Sequence, residues 1–419
     1  MDRTTNQTGS MEYWKKIIIL LCAGWITIWI YRSALSPVYP QIRESLGGDV
    51  TDTALGSISS FYFLGYVSMQ IPAGFLVDKI GKKKVLIPGF LLFALAAFLI
   101  SQANSLTMIY VGSVLAGLGC GSYYGSAYSL TSQNIPKSKR SFSTAIVNSG
   151  SAIGSGLGMI LSSYLVAQRG LPWQVMMYIA IVMILLMVVA FTFVIRGAKE
   201  DNAHIEAQAA EEQAKEKKPK EKVSLKTLLA PRMLFAYLLY FAVCYAYYMT
   251  VTWLPNFLGT ERGFEGSAIG FSSSLVAFAS IPGALFFSKL ADKYMNHKVK
   301  FIIGLNLLAA AMLLLTVQAT SSTFLLVALI MYGFLGKLAV EPIMIAWLGE
   351  NAPQVGVGTT LGVFNFFGMM SSVIAPALTG TISDQTGSKV MGFYIAVVLL
   401  VVGTILFMYS ARSSKKATA

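Results

Sequence analysis

Charge is scarce in this chain: only 12% of its 419 residues are charged, while 55% are hydrophobic. A soluble domain carries about twice that share of charge, so an ordinary water-soluble protein is excluded. Histidine is scarcer still. His204 falls in a polar stretch and His297 in a basic one, so neither is placed to relay protons through an apolar segment. Cys22, Cys120 and Cys244 each lie inside a predicted helix without metal-ligand spacing. That excludes a disulfide framework and a zinc site and leaves packing as their role. Walker-type, zinc-binding and nucleophile-elbow patterns are also missing, which argues against an ATP-driven pump, a membrane hydrolase or any other enzyme; no cofactor or metal is expected.

What the chain has in abundance is apolar length. Runs of about 20 residues recur from end to end, each able to cross a hydrocarbon core of roughly 30 Å as a helix. Twelve spans are predicted, near 17–40, 55–77, 85–103, 107–131, 142–167, 172–196, 232–259, 267–290, 299–319, 322–348, 358–382 and 389–411. The expected fold is an all-α integral membrane protein. A polar tail (1–13) precedes a six-helix bundle (14–196), a charged linker rich in Glu and Lys (197–230), a second six-helix bundle (231–411) and a basic tail (412–419). The first apolar run ends in a proline-containing segment with no small-residue cleavage site, so it reads as a retained helix and not a signal peptide.

The net charge of +13 follows from topology and does not call for nucleic acid. With the N-terminus assigned to the cytoplasm, all but six of the Lys and Arg fall on the cytoplasmic side; Arg43, Arg169, Arg262 and Lys389 lie in outer loops. This asymmetry predicts both termini in the cytoplasm and a multi-pass protein of the plasma membrane, a bacterial inner membrane. The other two, Arg32 and Lys337, sit inside predicted helices.

The two halves echo each other. IPAGFLVDK at Ile71–Lys79 corresponds to IPGALFFSKLADK at Ile281–Lys293; Asn148 is matched by Asn365, and Asp78 by Asp292, at nearly one offset. Parallel repeats joined by a linker suit a transporter that holds its substrate near the midplane between them. The glycines of the fourth and fifth helices, Gly117, Gly119, Gly121 and Gly125 and then NSGSAIGSGLG, read as close-packing surfaces.

Arg32, in IYRSALSPVYP, needs a partner, because a guanidinium at bilayer depth costs several kcal/mol or more when unpaired. Of the 19 acids, only Glu341 lies in the body of a predicted helix, with Asp384 at an outer end. Lys337 and Glu341 are four residues apart, on one helix face with Cβ atoms about 5–6 Å apart. They form either an internal pair that neutralises itself or a coupling device in which protonation of Glu341 frees Lys337. Two cations against one acid leave a positive cavity, and a small anionic substrate on the guanidinium fork is the missing partner. Tyr62, Tyr124, Tyr245, Tyr248, Trp253 and Trp347 offer donors to such a cavity or pack as anchors. Asn148 and Asn365 either bind substrate or join helices.

GFLVDKIGKKK, Gly74 to Lys84, resembles the signature loop of the major facilitator superfamily, matched at Gly74, Leu76, Asp78, Lys79, Gly81, Lys82 and Lys83. The resemblance implies two pseudo-symmetric six-helix bundles and a cytoplasmic gate in which Asp78 faces the positive N-terminal end of a helix in the other half. Gly74, Asp78, Lys79, Gly81, Lys82 and the repeat's Asp292 would form that gate; the alternative is a basic loop that only sets topology. A narrower resemblance, at IYRSALS, SSFYFLGYVSMQIPAG, VTWLPNFL, FLGKLAVEPIMIAWLGENAP and GTTLGVFNFFG, is to the anion:cation symporter branch, which moves sugar acids and other organic anions. By position Arg32, Lys337 and Asn365 inherit that branch's binding residues.

The departures are specific. Tyr31 stands where the branch has an aspartate, Ser113 and Cys120 near its helix 4 arginine and glutamate, and Met344 at its helix 10 tryptophan, with Trp347 nearby. The first half therefore lacks the branch's proton-coupling carboxylates. Helix 5 also lacks the Gly-Pro pair of drug-exporting relatives, which favours uptake. The resemblance implies a secondary active transporter, usually a monomer, taking up a carboxylate, sugar acid, sulfonate or phosphonate with H+ or Na+ by alternating access. An organic anion exchanger, an amphiphile exporter and a non-transporting membrane sensor on the same fold are the alternatives.

Overall fold

Twelve helices long and apolar enough to cross a membrane account for the described residues. The computed structural model describes residues 12–135, 140–196, 230–294, 297–351 and 357–417. The expected linker lies, apart from Ala230, outside the described residues, as does most of the N-terminal tail. The helices are α1 (Tyr13–Ala34), α2 (Asp52–Ile80), α3 (Lys82–Ser101), α4 (Leu106–Asn134), α5 (Arg140–Ser162), α6 (Gln174–Val194), α7 (Pro231–Arg262), α8 (Ser267–Lys293) and α9 (Lys298–Gln318). The tenth span is split into α10a (Ser322–Leu335) and α10b (Lys337–Asn351), and α11 (Val357–Thr386) and α12 (Val390–Ala417) complete the set.

Helices are imposed by the setting, since hydrocarbon offers no partner for a free peptide group. Their ends are specified locally. Thr51, Ser105 and Ser321 cap α2, α4 and α10a by accepting the amide of the third residue on, at 3.2, 3.4 and 3.3 Å. Gly81, with φ of +90°, makes the sharp turn between α2 and α3 that a residue with a Cβ would resist.

Three spans differ from the sequence expectation. The first bends after Ala34 into a 3-10 turn at Ser36–Val38 and a short helix at Tyr39–Ser45, because Pro37 and Pro40 have no amide to continue the ladder. The fifth ends in a π-helical turn at Ser163–Gln168. The tenth breaks at Gly336, whose ψ of −147° is far from helical.

Within the first half α1 packs on α5, α2 on α4, and α3 on α4 and α6; the second half repeats the scheme as α7 on α11, α8 on α10a, and α9 on α10a and α12. Glycine makes these contacts close. A Cβ at Gly150, Gly154 or Gly158 of α5 would collide with backbone of Cys22, Ile26 or Ile30 on α1, and one at Gly117 of α4 with the Tyr62 carbonyl. The halves are therefore two pseudo-symmetric bundles, and they meet along α2 with α11 and α5 with α8. Large side chains on the outer rim, such as Leu186 and Phe193 of α6, are exposed, as expected of a face that meets lipid.

The bundle has two distinct ends. At the end carrying Asp52 and Asp384, α2 and α11 are in backbone contact: a Cβ at Gly56 would strike the Pro376 carbonyl, and one at Gly380 the Asp52 carbonyl. Towards the end carrying Lys82, Asn365 of α11 donates to Gln70 of α2 across the interface at 3.3 Å. Beyond it Ile71 and Phe75 of α2 are 70% and 73% exposed. The halves are thus sealed at the Asp384 end, while towards the Lys82 end α2 turns large apolar side chains outward.

Candidate functional site

Arg32 projects from the last turn of α1 into a box of aromatic rings. Its guanidinium carbon lies 4.9 Å from the Trp29 ring, 4.9 Å from Tyr62, 5.2 Å from Phe63 and 4.4 Å from Tyr66. The last three come from one stripe of α2, where residues 62, 63 and 66 share a face. Nε donates to the Tyr62 hydroxyl at 2.7 Å, and Nη2 lies 4.0 Å from the Cys120 sulfur on α4. Among the described residues no carboxylate comes within ion-pair distance. Ring quadrupoles offset part of the cost of removing this cation from water, about 0.5–2 kcal/mol for each well-placed ring. They hold the planar group without neutralising it.

Across the interface the break at Gly336 puts Lys337 in the first turn of α10b, where the helix dipole is positive. Lys337 Nζ lies 2.8 Å from Glu341 Oε2, with the two side chains 11% and 24% exposed. The other carboxylate oxygen, Oε1, accepts from the Tyr240 hydroxyl of α7. Tyr240 is held flat on Phe364 of α11, with ring centroids 3.8 Å apart and planes at 13°. Gly368 makes that position available, since a Cβ there would occupy the Tyr240 ring.

An aromatic seam connects the two cations. Trp29 meets Tyr247 at 6.2 Å, Lys337 Nζ sits 5.5 Å from the Tyr247 ring, and Phe63 meets Tyr248 at 4.8 Å. Arg32 and the Lys337–Glu341 pair thus lie on opposite sides of one aromatic interface between the halves. With Glu341 satisfied by Lys337 and Tyr240, the Arg32 guanidinium is left without a carboxylate partner among the described residues.

Of the residues expected here from sequence, Arg32, Tyr62, Tyr248, Lys337 and Glu341 come together. Asn365 lies at the same interface but spends its amide on Gln70. Trp253 is fully buried towards the Asp384 end, where its indole donates to the Pro376 carbonyl at 2.9 Å and its ring meets Tyr39. Trp347 packs on Phe407 at 4.9 Å and beneath Arg232, and Tyr245 is buried beside Phe241. Asn148 and Tyr124 are exposed, on α5 and α4. In the expected gate Lys82 is buried and bonds to Gln133, Lys79 is exposed, and Gly74 has open space around it. The side chains of Asp78 and Asp292 lie outside the described residues. Sequence reasoning did not single out Trp29, Phe63, Tyr66, Gln70, Tyr240, Tyr247 or the break at Gly336. The four-residue spacing of Tyr62, Tyr66 and Gln70 was the available signal.

Tyr31, at the position where the resemblance expects a carboxylate, is buried between Tyr62 and Phe93, 5.7 and 4.8 Å away. The first half thus brings to this interface a cation and a thiol, and the second half the acid.

A family model described as Major Facilitator Superfamily matches residues 21–376, and one described as Vacuole effluxer Atg22 like matches residues 361–419. The chain is 24% identical to the probable sulfoacetate transporter SauU of Cupriavidus necator, covering 94% of this chain and 93% of that protein. It is 26% identical to the hexuronate transporter of Bacillus subtilis, covering 91% and 90%. Among solved structures, a bacterial homolog to the human lysosomal transporter Spinster, inward-facing and occupied, superposes with a TM-score of 0.73 at 13% identity. That match covers 96% of this chain and 98% of the other, and at this identity the likeness carries the fold alone.

Proposed function

The chain belongs to the major facilitator superfamily, and we propose on that premise that it takes up a small organic anion through the cleft between its halves. The substrate class is a carboxylate, sugar acid, sulfonate or phosphonate. One observation carries the reading: Arg32 is boxed by four rings and bonded to a phenol, yet has no carboxylate within reach among the described residues. A guanidinium kept charged and unneutralised in a cleft is a receptor for an anion, since a buried cation without a counter-charge otherwise costs stability. The names of relatives, a sulfoacetate and a hexuronate transporter, point to the same chemistry.

Each residue has a role in this reading. Arg32 binds the anionic group through the guanidinium edge left open by Tyr62. Lys337, released from Glu341, binds the same anion from the other half. Glu341 is the coupling group: protonation removes its hold on Lys337, so a proton taken up at Glu341 and an anion gained by Lys337 travel together, as in H+ symport. Asn365 and Gln70 bridge the halves on the side towards Lys82. The distribution of Lys and Arg supports placing the Lys82 end and both termini in the cytoplasm, with the Asp384 end outside. The protein then acts as a monomer in the plasma membrane, with the gate around Gly74, Asp78 and Lys82 on its inner side.

A thermal-shift screen of the purified protein against anionic metabolites, repeated on Arg32→Ala, tests the proposal. Anions should raise the melting temperature of the wild type and not of the variant. Stabilisation by neutral or cationic compounds that survives the mutation would overturn it.

A further inference from the structure

Asp384, at the last turn of α11, bonds across to the other half, and among the described residues it has no hydrogen bond within its own. Its Oδ1 accepts the backbone amide of Asp52 at 2.7 Å, and its Oδ2 accepts the amide of Thr53 at 2.8 Å and the Thr53 hydroxyl at 2.5 Å. These are the first amides of α2, which have no partner inside their helix. A carboxylate of one half thus closes the N-terminus of a helix in the other, where the helix dipole favours negative charge.

The contact is reciprocal. Asp52 sends its own carboxylate back across the interface, with Oδ2 accepting from the Ser383 hydroxyl at 2.6 Å and lying 2.9 Å from Lys389 Nζ. Two further bonds run beneath it: Thr53 and Thr381 hydroxyls meet at 3.2 Å, and the Ala377 amide donates to Ser60 at 3.2 Å. Glycines permit the approach, Gly56 against Pro376 and Gly380 against Asp52.

We infer that Asp384, Asp52 and Lys389 form a releasable latch that holds the two halves shut at this end. A permanent seam would be apolar, whereas this one is made of ionic and polar bonds that water can replace when the halves part. Asp52 keeps a partner on release, since Arg43, in the same half, pairs with its other oxygen; on the opposite side Glu261 holds the backbone at Lys389, accepting its amide at 2.7 Å and the Ser388 hydroxyl at 2.6 Å. The pair α2 and α11 therefore ends in an aspartate at each extreme: Asp384 on α11 here, and Asp78 on α2 in the motif at the other end. The latch draws on the alternating-access reading only for what its opening admits; it stands or falls without a substrate.

The test places spin labels at Asp49→Cys and Gln385→Cys, two exposed sites on opposite halves at this end, in the full-length protein in lipid nanodiscs. The wild-type background should give one dominant short distance. Asp384→Ala, which removes both acceptors, should convert most of that population to longer distances, and Asp384→Asn, which keeps one acceptor without the charge, should fall between. If Asp384→Ala does not fold, Asp384→Asn decides alone. A distance distribution unchanged in the folded variants overturns the latch. Failure of the anion screen would leave this result untouched, so the two ideas fail separately.

Discussion

Replacing Arg32 by methionine separates binding from stability, because the two should move in opposite directions. Methionine matches the length of the arginine stem and carries no charge, and its sulfur gains about 0.3–1.5 kcal/mol against a ring. What it gives up are contacts with the four rings at 4.4 to 5.2 Å and the bond to Tyr62. Those contacts supply about 0.5–2 kcal/mol per ring, against a desolvation penalty of several kcal/mol for one ion in a protein interior. The terms nearly cancel, so the ligand-free melting temperature of Arg32→Met should equal or exceed that of the wild type. Anion binding should collapse. A two-bond fork of charge-assisted hydrogen bonds at about 1.5–3 kcal/mol each amounts to a hundredfold or more in Kd. Arg32→Lys should lie between the two, since an ammonium keeps the charge and loses the fork. Calorimetric titration and thermal melting on the same three preparations measure both quantities. An Arg32→Met protein that melts early yet binds its anion as the wild type does would refute the reasoning and make Arg32 a structural residue.

Four further substitutions extend the test. Glu341→Gln should keep substrate counterflow and lose gradient-driven accumulation; accumulation at the wild-type level would remove Glu341 from the coupling role. Gly368→Ala should push the Tyr240 ring off Glu341, lowering the ratio of accumulation to counterflow and costing about 1–3 kcal/mol by overpacking, as read from that ratio and from melting. Gly154→Ala, forced against the Ile26 carbonyl, should lower the melting temperature clearly. Gly362→Ala, with nothing within 4 Å, should leave it unchanged within about 0.5 kcal/mol.

The spans were legible because hydrocarbon leaves the backbone one solution and apolar length reports it directly. The Lys337–Glu341 pair was legible for a similar reason, four residues on a helix being one face. The rotation of each helix about its axis was not. Where a helix is apolar on every side, no polar stripe marks which aromatic residues turn inward. Trp253 and Trp347 were therefore as plausible in the cleft as Trp29 and Tyr247, and only packing distinguishes them. The break at Gly336 was hidden in the same way, since a glycine in a membrane helix is as often a contact surface, as Gly333 is against Val276 of α8. The trans cap by Asp384 depends on two segments brought together by the meeting of the halves, and no local pattern records it.

Counterflow in proteoliposomes tests the central claim most directly. The purified protein is reconstituted with the anion that stabilises it best inside the vesicles, and entry of the labelled anion is followed in wild type, Arg32→Ala and Lys337→Ala. Saturable entry in the wild type, lost in Arg32→Ala and strongly reduced in Lys337→Ala, is the predicted result. Entry that persists in both variants, or that serves an uncharged analogue equally well, would contradict an anion site built from a cation of each half.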